Sequence, residues 1–223
     1  MSAAAFSRPS RRRVLLSLGG LVLALGVVSL PFGDWDHEFA DVWHLVGNEA
    51  IWWAYIAAVL LYVTKIERRS LGSIGFHKLG IRNALIGVAA GILITALLGA
   101  LYYVVLPALH LNDAIASTPN ARALAATPFW WRLISTVRAA VSEEVLFRGY
   151  AIERIQELTG SRTIAVIASC AIFTLDHVSS WGWTHEAIVA FGGLSFALLY
   201  VWRRNLWTSI IAHFIVDGIS VLA

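Results

Sequence analysis

The stretch "ALIGVAAGILITALLGALYYVVL", residues 84–106, contains no charged side chain and exceeds the roughly 20 residues that a helix needs to cross a bilayer. Glycine and alanine recur through it, and small side chains let helices pack closely in lipid. The whole chain has the same character, because 58% of its 223 residues are hydrophobic and only 14% are charged. This composition excludes an ordinary soluble domain and predicts an integral membrane protein.

Six other apolar stretches accompany this one. The seven lie at residues 14–32, 42–64, 84–106, 128–152, 162–178, 185–202 and 205–222. The first follows a basic start, as a signal peptide would, but it is long and lacks a clear cleavage site, so we expect it to be retained. The sequence therefore predicts an all-α, polytopic transmembrane bundle of about seven helices.

Basic residues in the loops orient these helices, because Lys and Arg accumulate on the cytoplasmic side of a membrane. They lie before the first helix, after the second, around the turn between the fourth and fifth, and after the sixth. The residues are Arg8, Arg11, Arg12, Arg13, Lys65, Arg68, Arg69, Lys78, Arg82, Arg154, Arg162, Arg203 and Arg204. The pattern predicts a cytoplasmic N-terminus with a tail at residues 1–13, and a C-terminus on the opposite side.

Ionisable residues inside the apolar stretches are candidates for function, because a charge in the hydrocarbon is costly unless it is paired or hydrated. They are Glu143, Glu144, Arg148, His177 and His213, with Asp217 one turn beyond the last. On an α-helix Glu144 and Arg148 are four residues apart with the acid first, which favours a salt bridge. Glu143 is rotated by about 100° from Glu144 and stays free to meet water.

These groups can converge on one layer of the bundle. Glu144 and His177 are nearly equally far from Gly160, where the fourth and fifth helices turn. His213 is as far beyond Arg204 as Glu144 is before Glu153. At about 1.5 Å per residue, the layer lies about 13 Å from the cytoplasmic face.

Two carboxylates and two imidazoles at one level can activate water, with Glu as general base and His holding the water. The same groups can instead pair helices or line an ion path, and spacing alone leaves these alternatives open. Zinc is possible but disfavoured, because no HExxH motif is present and Arg148 would oppose a second cation. We therefore expect no cofactor. The basic residues form no patch apart from the apolar segments, so we expect no nucleic-acid partner.

Three short motifs resemble those of the CPBP family of intramembrane proteases (CAAX-processing and bacteriocin-processing, also called Abi). "EEVLFR" at 143–148 is similar to EExxxR, "FTLDH" at 173–177 to FxxxH, and "HFIVD" at 213–217 to HxxxN or HxxxD. The resemblance covers residues 128–222, which would form the catalytic core after N-terminal transmembrane helices and loops at 14–127.

The resemblance implies a glutamate-type endopeptidase that cleaves a membrane-anchored peptide or protein in the lipid bilayer. Glu143 and His177 would activate the water, and His213 with Asp217 would polarise the scissile carbonyl. Glu144 and Arg148 would hold the geometry. Asp217 stands where some members have Asn, and an ionised Asp cannot donate to an oxyanion, so we expect it to orient the ring of His213.

Alternatives to proteolysis are a non-catalytic membrane scaffold or immunity protein and a small transporter. The compact length indicates a bacterial, multi-pass protein of the inner or plasma membrane. Among the remaining polar residues, we expect Arg132 and Arg138 to extend towards the membrane surface, and His185 and Glu186 to have an interfacial role.

Overall fold

Seven continuous helical rods make up the computed structural model, which describes residues 10–26, 41–110, 126–181 and 185–222 and the single positions 124 and 183. They are α1 (Arg11–Leu25), α2 (Val42–Ile66), α3 (Gly80–Ala108), α4 (129–159), α5 (Arg162–Trp181), α6 (Glu186–Arg203) and α7 (Leu206–Leu222). No strand occurs among the described residues. The predicted all-α bundle of about seven helices is confirmed. Residues 1–9 of the predicted tail and 27–32 of the first apolar stretch lie outside the described residues.

Several helices suit a lipid environment. Within the described ranges, α2, α3 and α6 are long and apolar enough to cross a bilayer, and α7 is apolar but shorter. Large apolar side chains face outward, as at Ile92 and Leu93 of α3, which are 58% and 59% exposed. Such a surface would be unfavourable in water and is the one expected against lipid tails. The chain is a membrane protein, and its orientation in the bilayer stays a prediction.

A close contact between helices joins α3 to α7 and depends on two glycines. A Cβ atom on Gly87 would lie 2.8 Å from the carbonyl oxygen of Thr208, and one on Gly91 would lie 3.0 Å from that of Ala212. Only glycine allows this approach without displacing backbone. The small residues of the opening stretch thus hold the helix that carries His213.

The helix α4 is longer than the apolar pattern predicts. The helix continues past the apolar stretch that ends at residue 152 to Thr159 and ends at Gly160, whose φ is 72°, at the turn between the fourth and fifth helices that the sequence indicates. Its polar residues are paired instead of solvated. The guanidinium of Arg154 is buried and bonds to the carboxylate of Glu67 on α2, with Nε–Oε1 at 3.0 Å. Glu153 accepts from Tyr200 of α6 and from Arg204. These ion pairs and hydrogen bonds stabilise the part of α4 that follows residue 152.

The hydrogen-bond pattern of α4 widens in its middle. The rod begins as an α-helix over Phe129–Glu143, becomes a π-helix over the nine residues Glu144–Ile152, and returns to an α-helix over Glu153–Thr159. π-helical segments are rare and recur at functional sites. This one contains both Glu144 and Arg148.

Candidate active site

The centre of the site is Glu144, which contacts the side chains of Arg148 and His213 through one oxygen. Its Oε1 lies 3.0 Å from Nη1 of Arg148 and 3.0 Å from Nδ1 of His213. The side chains of Glu144 and Arg148 are 0% and 1% exposed. The ion pair expected from the spacing is therefore present, and the same carboxylate also holds a histidine from α7.

Arg148 has further partners on α5 and α6. Its Nη2 donates to the carbonyl of Gly193 at 3.0 Å, and its guanidinium lies 4.3 Å above the ring of Phe173. The contact of Nη1 with Glu144 is an ion pair that lacks hydrogen-bond geometry. A Cβ on Gly193 would lie 2.8 Å from the Phe173 ring, so glycine is needed there. The cation is thus enclosed by α4, α5 and α6.

The imidazole of His213 lies between carboxyl groups. Its Nδ1 faces Glu144, while its Nε2 lies 3.3 Å from Oδ2 of Asp217 and 3.6 Å from Oε2 of Glu143. The ring stacks on Phe196 with the centroids 4.4 Å apart. An ionised carboxylate only accepts hydrogen bonds, so both ring nitrogens donate when the three acids are ionised, and the ring is then an imidazolium.

Glu143 and Asp217 form the open side of this cluster. Their side chains are 22% and 29% exposed, whereas that of His213 is 4% exposed. Glu143 lies beside Glu144 in sequence but points away from Arg148, and its recorded ionic contact is the one to His213. The two adjacent acids therefore differ: one is buried and neutralised, and the other can reach water.

His177 has a defined tautomer when it is neutral. Its Nδ1 lies 2.8 Å from the carbonyl oxygen of Phe173, one turn earlier on α5. A carbonyl oxygen only accepts, so Nδ1 carries the proton and Nε2 carries the lone pair. Among the described side chains, none forms a hydrogen bond with Nε2. The ring of His177 packs against that of Phe173 with the centroids 4.5 Å apart, and Phe173 in turn contacts the guanidinium of Arg148, which places His177 beside the Glu144–Arg148 pair.

Within the ranges that the structure describes, no group of three or more His, Cys, Asp or Glu side chains could hold a metal ion. Oε1 of Glu144 and both nitrogens of His213 are directed at one another or at other charged partners. The expectation of a metal-free site stays a prediction.

The burial of one acid at the start of α6 was not expected from the sequence. Glu186, the first residue of α6, is 7% exposed, and neither of its carboxylate oxygens has a hydrogen-bond partner among the described groups. The apolar pattern put it at a helix end, which says nothing about burial.

The prediction for Arg138 was wrong, and that for Arg132 stays a prediction. Arg138 is 9% exposed, its Nε lies 3.3 Å from Oε1 of Glu49 on α2, and its guanidinium is 5.1 Å from the Trp52 ring. Arg132 donates to the carbonyl of Val221, at the end of α7, at 3.0 Å. Arg138 finds its acceptor inside the bundle, so it need not reach the surface. The isolated acid Glu49 within an apolar stretch was the available signal.

Comparison with known proteins agrees with this geometry. A family model described as Rce1-like, type II CAAX prenyl endopeptidase, matches residues 125–219, a range that includes all six candidate site residues. Searches of curated proteins and of solved structures gave no significant match. The segment that carries the three motifs therefore matches the Rce1-like endopeptidase family, consistent with the CPBP/CAAX protease resemblance of those motifs, and the match supports intramembrane protease activity in general.

Proposed function

We propose that this protein is a glutamate-type endopeptidase of the cell membrane that hydrolyses a peptide bond in a membrane-associated protein or peptide, with Glu143 and His177 activating the water. The observation that supports this proposal is that the two adjacent acids have different environments. Glu144 is buried against Arg148 and His213, whereas Glu143 is partly exposed and has no arginine partner. A carboxylate that is ionised and open to water can act as a general base.

In the first step, a water molecule between Glu143 and His177 attacks the scissile carbonyl carbon. One of its protons goes to the carboxylate of Glu143, and its other hydrogen is held by the lone pair of Nε2 of His177. The bond from Nδ1 of His177 to the Phe173 carbonyl supports this role, because it keeps Nε2 unprotonated and fixes the ring. The low dielectric of the bundle strengthens both interactions.

The carbonyl oxygen becomes an oxyanion as the water oxygen bonds to carbon. The N–H at Nε2 of His213 is the donor we assign to it, since that nitrogen lies on the side of Glu143 and Asp217. Asp217 orients the ring, and Glu144 holds it from Nδ1. Donors that are fixed before the reaction stabilise the developing charge without reorganisation.

Collapse of the intermediate breaks the C–N bond. Glu143 gives its proton to the departing amine nitrogen, and His177 takes the proton of the new carboxyl group. The products are a carboxylate and an amine, and the proton on His177 returns to water. Each proton of the attacking water is accounted for, and none of these steps uses a metal.

The test compares Glu143→Gln with the wild type in a cleavage assay, using purified protein in detergent and a cleavable membrane peptide. Glutamine keeps the shape but not the basicity, so the rate should fall by about 10² to 10⁴-fold. Glu157→Gln is the matched control, since that acid pairs with Arg69 at the end of α4 where it turns into α5 and should not affect cleavage. Both proteins should accumulate to the wild-type level.

Three outcomes would contradict the proposal. Full activity of Glu143→Gln would show that Glu143 is not the general base. Activity that is lost after exhaustive chelation and restored by zinc would exclude the metal-free mechanism. A wild-type protein that cleaves none of the membrane peptides would favour a non-catalytic scaffold.

A further inference from the structure

A cavity of about 320 Å³ opens at the end of α2 and is lined mainly by arginine. Its lining consists of Arg13 and Leu16 of α1 and of Glu67, Arg68 and Arg69, which directly follow α2. The hydroxyl of Tyr62 donates to the carbonyl of Leu16 at 2.9 Å and joins the two helices beside the cavity. None of the six candidate site residues lines this cavity, so it is separate from the candidate active site.

Two of the four charged side chains in the lining are paired within the chain. The carboxylate of Glu67 bonds to the buried guanidinium of Arg154, with Nε–Oε1 at 3.0 Å. Arg69 donates to both carboxylate oxygens of Glu157, at 2.7 and 2.9 Å. These two residues therefore have their main counter-charges already in place.

Arg13 and Arg68 have no such partners. Within the ranges that the structure describes, neither side chain forms a hydrogen bond or an ion pair, and both residues are exposed. Arg68 also has a φ of 57°, a left-handed conformation that glycine adopts most readily at the end of a helix. Arg204 has a similar φ of 52°, but it pairs with Glu153. An arginine at position 68 therefore points to a ligand from outside the described fold.

The length of α2 places the cavity at a membrane surface. The helix has 25 residues and is apolar enough to cross a bilayer. At about 1.5 Å per residue it is about 37 Å long, whereas the hydrocarbon core is about 30 Å thick, so the residues after Ile66 lie among the lipid headgroups. Leu15 of α1 and Ile66 of α2 adjoin the cavity in sequence and are 60% and 51% exposed. An acyl chain can contact such side chains while its headgroup reaches the arginines.

We propose that this cavity binds the phosphate group of an anionic phospholipid, with the guanidinium groups of Arg13 and Arg68 as donors. A guanidinium presents a planar fork of N–H groups that fits two phosphate oxygens. Two unpaired cations favour a lipid with a net negative headgroup over a zwitterionic lipid, whose own cation they would repel. The proposal does not depend on the proposed function, because the cavity contains no residue assigned to catalysis.

The test measures binding of phosphatidylglycerol to the purified protein by native mass spectrometry from a nonionic detergent, with phosphatidylcholine as the zwitterionic reference. The wild type should bind phosphatidylglycerol more tightly than phosphatidylcholine. Arg13→Gln combined with Arg68→Gly should weaken phosphatidylglycerol binding by about 25-fold, since each arginine near an anionic lipid contributes about fivefold. Glycine suits the left-handed backbone at position 68, so melting without added lipid should show this variant to be folded.

The matched control combines Lys78→Gln with Arg82→Gln. These exposed residues lie between α2 and α3 and in the first turn of α3, and they do not line the cavity. The control removes the same charge as the first variant and should bind phosphatidylglycerol like the wild type. If the double variant at 13 and 68 fails to fold, Arg13→Gln alone should weaken binding by about fivefold.

Three results would overturn the proposal. An equal loss of binding in the two double variants would show that net surface charge, not the cavity, attracts the lipid. Equal affinity of the wild type for phosphatidylglycerol and phosphatidylcholine would exclude recognition of an anionic headgroup. Soluble glycerol phosphate that raises the melting temperature as much as phosphatidylglycerol does at the same concentration would assign the cavity to a free phosphate instead of a lipid.

Discussion

Replacing Arg148 with methionine should strongly destabilise the protein, because it leaves Glu144 buried without its main counter-charge. Glu144 is 0% exposed and lies 3.0 Å from the guanidinium. Breaking a buried ion pair by removing one partner costs about 3–5 kcal/mol. The carbonyl of Gly193 also loses its donor, which costs about 1–3 kcal/mol for a buried group. His213 keeps its contact with Glu144 at 3.0 Å and offsets part of this loss. The expected net change in the free energy of unfolding is about 3–4 kcal/mol.

The assay is equilibrium unfolding of purified protein in mixed micelles, with Arg204→Met as the matched control. Arg204 pairs with Glu153 at the surface, where its side chain is 44% exposed, and such pairs contribute about 0–1 kcal/mol. A second comparison uses Glu144→Gln with Arg148→Met, which removes both charges and should recover part of the lost stability. Arg148→Met within about 1 kcal/mol of the wild type would refute the reasoning, as would a double variant that is no more stable than the single one.

Three further predictions follow from other contacts. Gly91→Ala should lower the free energy of unfolding by about 1–3 kcal/mol, because the added methyl group overpacks the contact with α7. Gly99→Ala, at a position with open space around it, should not destabilise the protein. Equal melting temperatures of the two variants would exclude a packing role for Gly91. Asp217→Asn should cleave within about 10-fold of the wild-type rate, because the amide oxygen still accepts from His213, and Asp217→Ala should cleave more slowly. Equal rates of the two variants would exclude the orienting role of Asp217. Arg69 lowers the pKa of Glu157 below its ordinary 4.5, so their ion pair stabilises the fold above that pH and is lost as the pH falls through the lowered pKa. The free energy of unfolding of Glu157→Gln should therefore decrease less on acidification than that of the wild type. An identical decrease would argue against the ion pair.

Much of the fold could be predicted because hydrophobic length is a local property of the sequence. The seven apolar stretches correspond to the seven described helices, with ends that differ by a few residues. The turn at Gly160 was also predicted, but nothing in the sequence indicated that Glu153 and Arg154 just before it pair with residues outside α4. A partner that lies on another helix cannot be inferred from local polarity.

The candidate site could be predicted in part for the same physical reason. The pair of Glu144 and Arg148 depends on spacing along one helix, and it is present. The contact of Glu144 with His213 depends on how α4 and α7 pack, and the pairing of Arg138 with Glu49 depends on α2. The π-helical segment from Glu144 to Ile152 also has no periodic signature in the sequence. The catalytic roles stay predictions.

The ion pairs at the end of α4 where it turns into α5 also constrain how the bundle can move. Glu67 with Arg154, Arg69 with Glu157 and Glu153 with Arg204 join the ends of α2, α4 and α6. Helices fastened at one end can separate only by pivoting about it, so their displacement grows with distance from the fastening. A tilt of about 10° would move side chains in the layer of Glu144, about 13 Å away, by about 2 Å. Near the other end of α4, the pair of Arg138 with Glu49 and the bond of Arg132 to Val221 hold α4 to α2 and α7, so a tilt that separates α4 from α2 would also have to break the Arg138–Glu49 pair.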